Sequence, residues 1–249
     1  TIVLSGAFPT LPAAAGTLLV SGDTTPIFSL TNAVPDVAVV DNQTFFTNLL
    51  GAGSSVAILD SPLGAAIGAE LSLHYGGLAG VSATLLTGSL SASDLSGVDL
   101  LLAPAPSDAF SAAELTVLSS FLVGGGTVFL SGEFSNLIFP GGLVSGSDVN
   151  GFLNAALASL APGVSLANDS IDPGSHLAAG SQIDPHPLTA GITGFSYGYG
   201  SGVNGGTPLF RMMDGTPFMV VVNVPEPATS ALLGALAVAA ALRRARPSA

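Results

Sequence analysis

The feature that most constrains the fold is a series of short, almost wholly apolar runs that alternate with segments of helical length. The runs lie at residues 56–59, 81–86, 98–103 and 127–130. Because they are short and lack a polar face, they predict strands that are buried on both sides, which is typical of parallel sheets. We therefore expect an α/β protein over residues 54–224, with a parallel sheet and helices on both of its faces.

Apolar residues that recur every three or four positions predict the helices between these strands. The helices are expected at residues 64–75, 112–123 and 148–160. Ser111 precedes the second helix and Glu114 follows three residues later, which is the pattern of a capping box. Three glycines at 124–126 indicate where that helix ends.

The remaining parts of the chain are less regular. Residues 171–224 are rich in Gly and Pro and are predicted to be mostly β, with closing strands at 208–211 and 217–222. Residues 1–53 are predicted to contain a strand, a polar loop and a short helix at 41–50. Two alternatives stay open for this N-terminal segment: it completes the sheet, or it is the remnant of a preceding domain.

Three stretches resemble the class I glutamine amidotransferase-like fold, a flavodoxin-like α/β sandwich. They are the strand at 98–103, L-V-G-G-G-T-V-F-L-S-G-E at 122–133, and D-P-H-P-L-T-A-G at 184–191. The resemblance implies that fold for residues 54–224. In the family a nucleophilic cysteine follows the strand that corresponds to 127–130. Here the turn is Ser131-Gly132-Glu133 and the chain has no cysteine, so the resemblance extends to the fold and not to amidotransferase activity.

Charge excludes one large class of partners. The chain has a formal net charge of −12, and Arg211 is its one basic residue before residue 243, lysine being absent. A surface this acidic is repelled by phosphate, so we expect no nucleic-acid binding. The lack of cysteine also excludes disulfides and thiolate metal sites.

Residues 225–249 form a tail of different character. A sorting motif made of Val224, Pro225, Glu226 and Pro227 spans the junction between the preceding domain and this tail. Fifteen uncharged, mostly apolar residues follow at 228–242, and then a membrane stop made of Arg243, Arg244 and Arg246. A helix of fifteen residues is about 22 Å long, shorter than the roughly 30 Å hydrocarbon core of a bilayer. The arginines are expected to stay on the cytoplasmic side.

This order resembles the PEP-CTERM sorting signal of Gram-negative, often exopolysaccharide-producing, bacteria. The resemblance implies recognition by an exosortase-type membrane transpeptidase and cleavage at or near the motif. It also implies an isolated C-terminal transmembrane helix that anchors the chain in the inner membrane only transiently, with its C-terminus cytoplasmic. The protein is then expected to be exported to the cell envelope or extracellular surface, with extracellular polysaccharide as a candidate partner.

Ligands of open α/β sheets bind outside the carboxyl ends of the strands. The polar residues expected there are Asp60, Ser61, Ser107, Asp108, Ser131, Glu133 and His186. These residues suggest two kinds of chemistry: a hydrolase with Ser131 as nucleophile and His186 as base, or a carboxylate pair or cation site formed by Glu133 with Asp60. The serine lacks a G-x-S-x-G elbow.

The spacing of the acidic residues and histidines fits no metal motif, so no metal or cofactor is predicted. His74 is interpreted as a packed histidine of a helix face, and His176 and His186 as residues of proline-rich turns. Phe195, Tyr197 and Tyr199 either stack on a sugar or pack within their loop.

We therefore expect an exported surface protein with a non-catalytic amidotransferase-like domain that binds glycan or extracellular matrix. The alternative is a secreted hydrolase that uses Ser131, Glu133 and His186.

Overall fold

The computed structural model describes residues 16–28, 30, 39–60, 65–139, 142 and 144–224. The strands are β1 Gly16–Ser21, β2 Ser55–Leu59, β3 Ser82–Leu86, β4 Leu100–Pro104, β5 Thr127–Ser131, β6 Ser165–Leu166, β7 His176–Ala179, β8 Gly194–Tyr197, β9 Val203–Asn204, β10 Thr207–Arg211 and β11 Pro217–Val224. The α-helices are α1 Thr25–Phe28, α2 Val39–Leu50, α3 Ala65–Gly76, α4 Ala112–Val123 and α5 Gly146–Leu160. Two short 3₁₀ helices cover Gly180–Gln182 and Pro187–Thr189.

Seven of these strands form a central sheet in the order β10-β11-β1-β5-β4-β2-β3. The five strands from β1 to β3 in that order run parallel. Strand β11 pairs antiparallel with β1, and β10 pairs antiparallel with β11. The protein is therefore a mixed α/β protein with a mostly parallel sheet. The prediction of four parallel strands between residues 56 and 130 is confirmed, with bounds that shift by one or two residues.

Strand β1 lies in the interior of the sheet. It pairs in parallel with β5, where Ser21 is opposite Ser131, and antiparallel with β11, where Gly16 is opposite Val224. The N-terminal segment, for which two alternatives stood open, thus contributes a strand to the middle of this sheet.

Two hydrophobic cores lie on opposite faces of the sheet, because side chains of a strand point alternately to either face. Leu19, for example, points into one core and its neighbour Leu18 into the other. Helices α1, α2 and α3 cover the first face, with Phe45, Phe46, Ile67, Leu71 and Tyr75 buried against it. Helices α4 and α5 cover the second face, with Leu118, Leu122, Val149, Leu153 and Leu157 buried.

The ends of α4 follow the predicted signals. The Ser111 side chain accepts a hydrogen bond from the backbone N–H of Glu114, whose carboxylate in turn accepts from the backbone N–H of Ser111. Gly124 is the C-cap residue of the helix. Gly125 takes a φ of 90°, a backbone conformation that a side chain disfavours. Strand β5 therefore starts at a fixed place relative to α4.

The aromatic residues of the C-terminal part divide between core and surface. Phe195 and Tyr197 of β8 are buried and stack with Phe210 and Phe218 of the first core. Tyr199 is 40% exposed. Of the two interpretations of the aromatic cluster, packing is the one that the structure shows for Phe195 and Tyr197.

None of the helices within the described residues combines the length and the apolar character needed to cross a membrane. The transmembrane helix predicted at 228–242 lies outside the described residues. So do Pro225, Glu226 and Pro227 of the sorting motif and the three arginines Arg243, Arg244 and Arg246.

Candidate functional site

The sheet changes its direction of connection between β2 and β4. After β2 the chain passes through α3 on one face to the outer strand β3, and after β4 it passes through α4 on the other face to β5. Two neighbouring parallel strands whose connections diverge in this way leave a crevice outside their carboxyl ends. This is the position at which an open α/β sheet is expected to bind a ligand.

A cleft of about 440 Å³ lies at this position. Leu59 and Asp60 line it from the end of β2, and residues 103–104 and 106–110 line it from the end of β4. The volume falls within the range of about 300–1,000 Å³ found for small-molecule sites. Its lining mixes apolar groups, such as Pro104 and Phe110, with the polar side chains of Ser107 and Asp108.

Asp60 is a half-buried acidic residue in the lining of the cleft. Its Oδ1 is buried and has no hydrogen-bond partner among the described residues. A buried carboxylate oxygen without a partner is costly, by about 1–3 kcal/mol or more. Ser61, which the sequence grouped with Asp60, lies outside the described residues.

Glu114 lies at the cleft wall but its oxygens are already engaged. Oε1 accepts from the backbone N–H of Leu90, and Oε2 accepts from the N–H and hydroxyl of Ser111. Partial burial works to raise the pKa of Glu114, but the hydrogen bonds from Ser111 and Leu90 outweigh it, so the pKa lies below its ordinary value. Glu114 thus gives the cleft a fixed negative charge.

The backbone between two lining residues of the cleft is strained. Ala105, between Pro104 and Pro106, has a φ of 41°, although alanine rarely adopts the left-handed region. Its N–H donates to the carbonyl of Ser131, which holds this conformation in place at the end of β5. Such strain costs about 1–3 kcal/mol and tends to cluster at functional sites.

A second group of polar residues lies at the ends of β1 and β5. Asp23 follows β1 and Glu133 follows β5, and both are buried. Asp23 accepts hydrogen bonds from the N–H groups of Thr25 (2.7 Å) and Gly198 (2.7 Å). Glu133 accepts from the hydroxyl of Thr24. The two carboxyl groups therefore tie the loop after β1 to the loops after β5 and β8.

Burial keeps this pair from being doubly ionised. It raises the pKa of Asp23 to about 6, against the hydrogen bonds from Gly198 and Thr25 that lower it. Burial and, next, the charge of Asp23 raise the pKa of Glu133 to about 8, against the hydrogen bond from Thr24. At neutral pH the two carboxyl groups therefore tend to share a proton rather than to ionise together.

Glu133 thus neighbours Asp23 and not Asp60, which corrects the carboxylate pair inferred from the sequence. The reason is the strand order. Asp60 follows β2, and β4 lies between β2 and β5.

Ser131 and His186 make their hydrogen bonds apart from each other. The Ser131 hydroxyl is fully buried and donates to the backbone carbonyl of Asp23 at 3.0 Å. Nδ1 of His186 accepts from the N–H of Leu188 within its own turn. Among the hydrogen bonds of the described residues, none joins the two, and the arrangement offers no exposed nucleophile.

Asn150 and Ser201 complete the buried network, and sequence reasoning missed both. Asn150 Oδ1 accepts from the N–H of Glu133, and its Nδ2 donates to the carbonyl of Glu133 and to the Ser201 hydroxyl. The Ser201 hydroxyl donates to the carbonyl of Asp169. The one available signal was an asparagine beside the apolar stripe of the helix predicted at 148–160.

The histidines occupy packed or turn positions. His74 lies against the rings of Phe46 and Tyr75, and burial lowers its pKa. The His176 ring packs beside Tyr197. Within the described residues, no group of three or more His, Cys, Asp and Glu side chains could hold a metal ion.

No protein-family model matches the chain, and no curated protein matches it. The chain is similar to a solved structure described as "mmIFT52 N-terminal domain", at 14% sequence identity and a TM-score of 0.44. The match covers 69% of this chain and 86% of that chain.

Proposed function

We propose that this protein is exported and sorted to the bacterial envelope or surface, and that its α/β domain binds a ligand without catalysing a reaction. The observation that carries the sorting proposal is the order of three elements in one short segment: V-P-E-P at 224–227, the uncharged run at 228–242, and the arginines from Arg243 to Arg246. That order resembles a PEP-CTERM signal. The implied partner is an exosortase-type membrane transpeptidase.

Each element has a physical task in this proposal. Pro225 and Pro227 lack the N–H that a continuing strand or helix needs, so they separate the tail from β11, which ends at Val224. The run at 228–242 is long enough to enter a bilayer but short for a lasting anchor. The arginines resist transfer across the membrane at a cost of about 2.5–3.5 kcal/mol each.

The proposal for the domain rests on the turn after β5. If β1 is set aside, the order β3-β2-β4-β5 corresponds to strands 2-1-3-4 of a flavodoxin-like sheet. Amidotransferase-like domains carry their nucleophile after the strand that β5 resembles. In this chain Ser131 is fully buried and Glu133 is 3% exposed, and both are engaged in hydrogen bonds. This arrangement supports a binding domain of flavodoxin-like architecture.

The sorting proposal is tested by mass spectrometry of the surface protein in cells that hold the cognate sorting enzyme. We expect the mature chain to lack the residues after the motif. Changing Arg243, Arg244 and Arg246 to Gln should leave the chain unprocessed, because the far end of the tail is no longer held in the cytoplasm. The matched control changes the same residues to Lys, which keeps the charge and should keep processing. A mature form that still ends at Ala249, or normal processing of the Gln variant, would contradict the proposal.

The non-catalytic proposal has its own test. Purified protein incubated with glutamine should release no ammonia, because no thiol follows β5. Release of ammonia that is abolished by Ser131→Ala or Glu133→Gln would overturn it.

A further inference from the structure

We propose that the cleft between the ends of β2 and β4 is a binding site for an uncharged saccharide, with Asp60 as its hydrogen-bond acceptor and Phe110 as its apolar wall. The inference rests on the proposed binding function of the domain and names the site and the ligand class. Its first support is position. The cleft of about 440 Å³ coincides with the point at which the connections of the sheet diverge.

Charge excludes an anionic ligand. Asp60, Asp108 and Glu114 line the cleft, and none of its described lining residues is basic. The single basic side chain before residue 243, Arg211, forms an ion pair with Asp184 at 2.8 Å and is not part of the cleft. A phosphate, sulfate or uronate would therefore be repelled and would find no positive partner.

Metal ions are also disfavoured. Within the described residues no group of acidic side chains and histidines is close enough to hold a cation. Two of the three carboxylates have oxygens in use: those of Glu114 accept from Leu90 and Ser111, and one of Asp108 accepts from Ser107 at 3.1 Å. Calcium needs six to eight oxygen ligands, which this lining does not supply.

The groups that remain match a sugar ring. Asp60 is half-buried and lines the cleft, so its carboxylate can accept from a sugar hydroxyl. The hydroxyls of Ser89 and Ser107, which both line the cleft, can donate and accept. Phe110, with Pro104 and Pro106, offers apolar surface to the C–H face of the ring. A saccharide has hydroxyls around its ring and C–H groups on the faces of the ring. It can therefore contact the carboxylate, the serine hydroxyls and the apolar surface together.

The test uses the full 249-residue chain on an array of neutral hexasaccharides of glucose, galactose and mannose, with uronic acid and glucosamine hexamers as charged probes. The best neutral hexasaccharide is then titrated calorimetrically. We expect neutral binding, at least a tenfold loss of affinity in Asp60→Asn, and a similar loss in Phe110→Ala. Asp60→Asn keeps the size of the side chain but replaces the charge and one acceptor oxygen by an NH₂ donor, so it reports on the carboxylate even if Phe110→Ala fails to fold.

Two matched controls locate the site. Asp214→Asn removes the same charge from an exposed turn outside the cleft, and Tyr199→Ala removes an exposed aromatic ring outside it. Both should bind within twofold of the original protein, and the hexasaccharide should be recovered intact. Binding of only the charged hexamers, no binding at all, or a loss in Tyr199→Ala without one in Asp60→Asn would overturn the inference. None of these results bears on cleavage of the tail, so failure here is distinct from failure of the sorting proposal.

Discussion

Asp23 and Glu133 are two buried carboxyl groups at the ends of neighbouring parallel strands, and the charge of Asp23 helps to raise the pKa of Glu133. The pair shares the same edge of the sheet as the cleft but takes no part in it. Its hydrogen bonds go to the N–H groups and hydroxyl of loop residues. We interpret the pair as a structural feature that links three loops through hydrogen bonds.

We expect the free energy of unfolding to fall as the pH rises from 6.5 to 8.5. A carboxyl group whose pKa is higher in the folded state than its ordinary value binds more protons folded than unfolded, so the stability it contributes is present at low pH and is lost as the pH rises through the folded pKa. For Glu133 that pKa is about 8. The loss approaches about 1.4 kcal/mol per pH unit for one proton.

Urea unfolding across this range measures the effect. Below pH 6.5 the lowered pKa of His74 acts in the opposite sense, so the higher range is the informative one. The control is Glu133→Gln, which keeps the shape of the side chain but cannot ionise, and whose stability should change little with pH. Stability that rises between pH 6.5 and 8.5 would contradict the assignment.

Asn150→Ala should destabilise the protein by about 2 to 4 kcal/mol, because it leaves the buried N–H of Glu133 without a partner and removes one of the two donors to its carbonyl, the other being the Ser201 hydroxyl. Chemical denaturation at pH 6 is the measurement. Asn136→Ala, at an exposed position in a turn, is the control and should change stability by no more than about 0.5 kcal/mol. Equal effects of the two substitutions would show that the network around Asn150 contributes little.

Two glycines of α5 should respond in opposite directions to alanine. A Cβ at Gly146 would lie 1.9 Å from the carbonyl oxygen of Phe134, whereas a Cβ at Gly151 would meet no described atom within 4 Å. We expect Gly146→Ala to destabilise by more than about 2 kcal/mol through this clash. Gly151→Ala should stabilise by about 0.5–1 kcal/mol, since alanine favours the helix. Melting temperatures of the two variants settle the matter, and a tolerated Gly146→Ala would refute the packing at the start of α5.

Ser131→Ala separates a structural hydroxyl from a nucleophile. Because the hydroxyl donates to the carbonyl of Asp23 inside the core, its loss should cost about 1 kcal/mol of stability. Hydrolysis of p-nitrophenyl acetate should equal the uncatalysed rate for the original protein and the variant alike. Hydrolysis above that rate which disappears in Ser131→Ala and in His186→Ala would favour the hydrolase alternative instead.

The sequence predicted the elements of the fold better than their arrangement. The apolar runs located β2, β3, β4 and β5 because strands buried on both sides leave a local signal. The order of the strands in the sheet leaves no such local signal. It depends on which helix crosses which face, and for that reason Glu133 was paired with Asp60 when its neighbour is Asp23.

The candidate site was predictable in part. Asp60, Ser107 and Asp108 follow predicted strands, and the structure brings them to one cleft. Phe110 and Glu114 were not foreseen as part of it, because one lies in a loop and the other was explained by the cap of α4. Asn150 and Ser201 belong to the buried network through hydrogen bonds to Glu133. Asn150 lies 17 positions and Ser201 68 positions from Glu133 along the chain.

The position of β1 has a consequence for how the protein is made. Gly16 pairs with Val224, so an interior strand near the start of the described chain waits for a partner that is synthesised about 200 residues later. Contacts this far apart in sequence are slow to form, because the chain between them must first be brought together. Until residues 217–224 emerge, β1 has one edge open to pairing with another molecule. A chain that crosses a membrane in extended form would meet this delay on the far side, with its final strand arriving just ahead of the segment at 224–227.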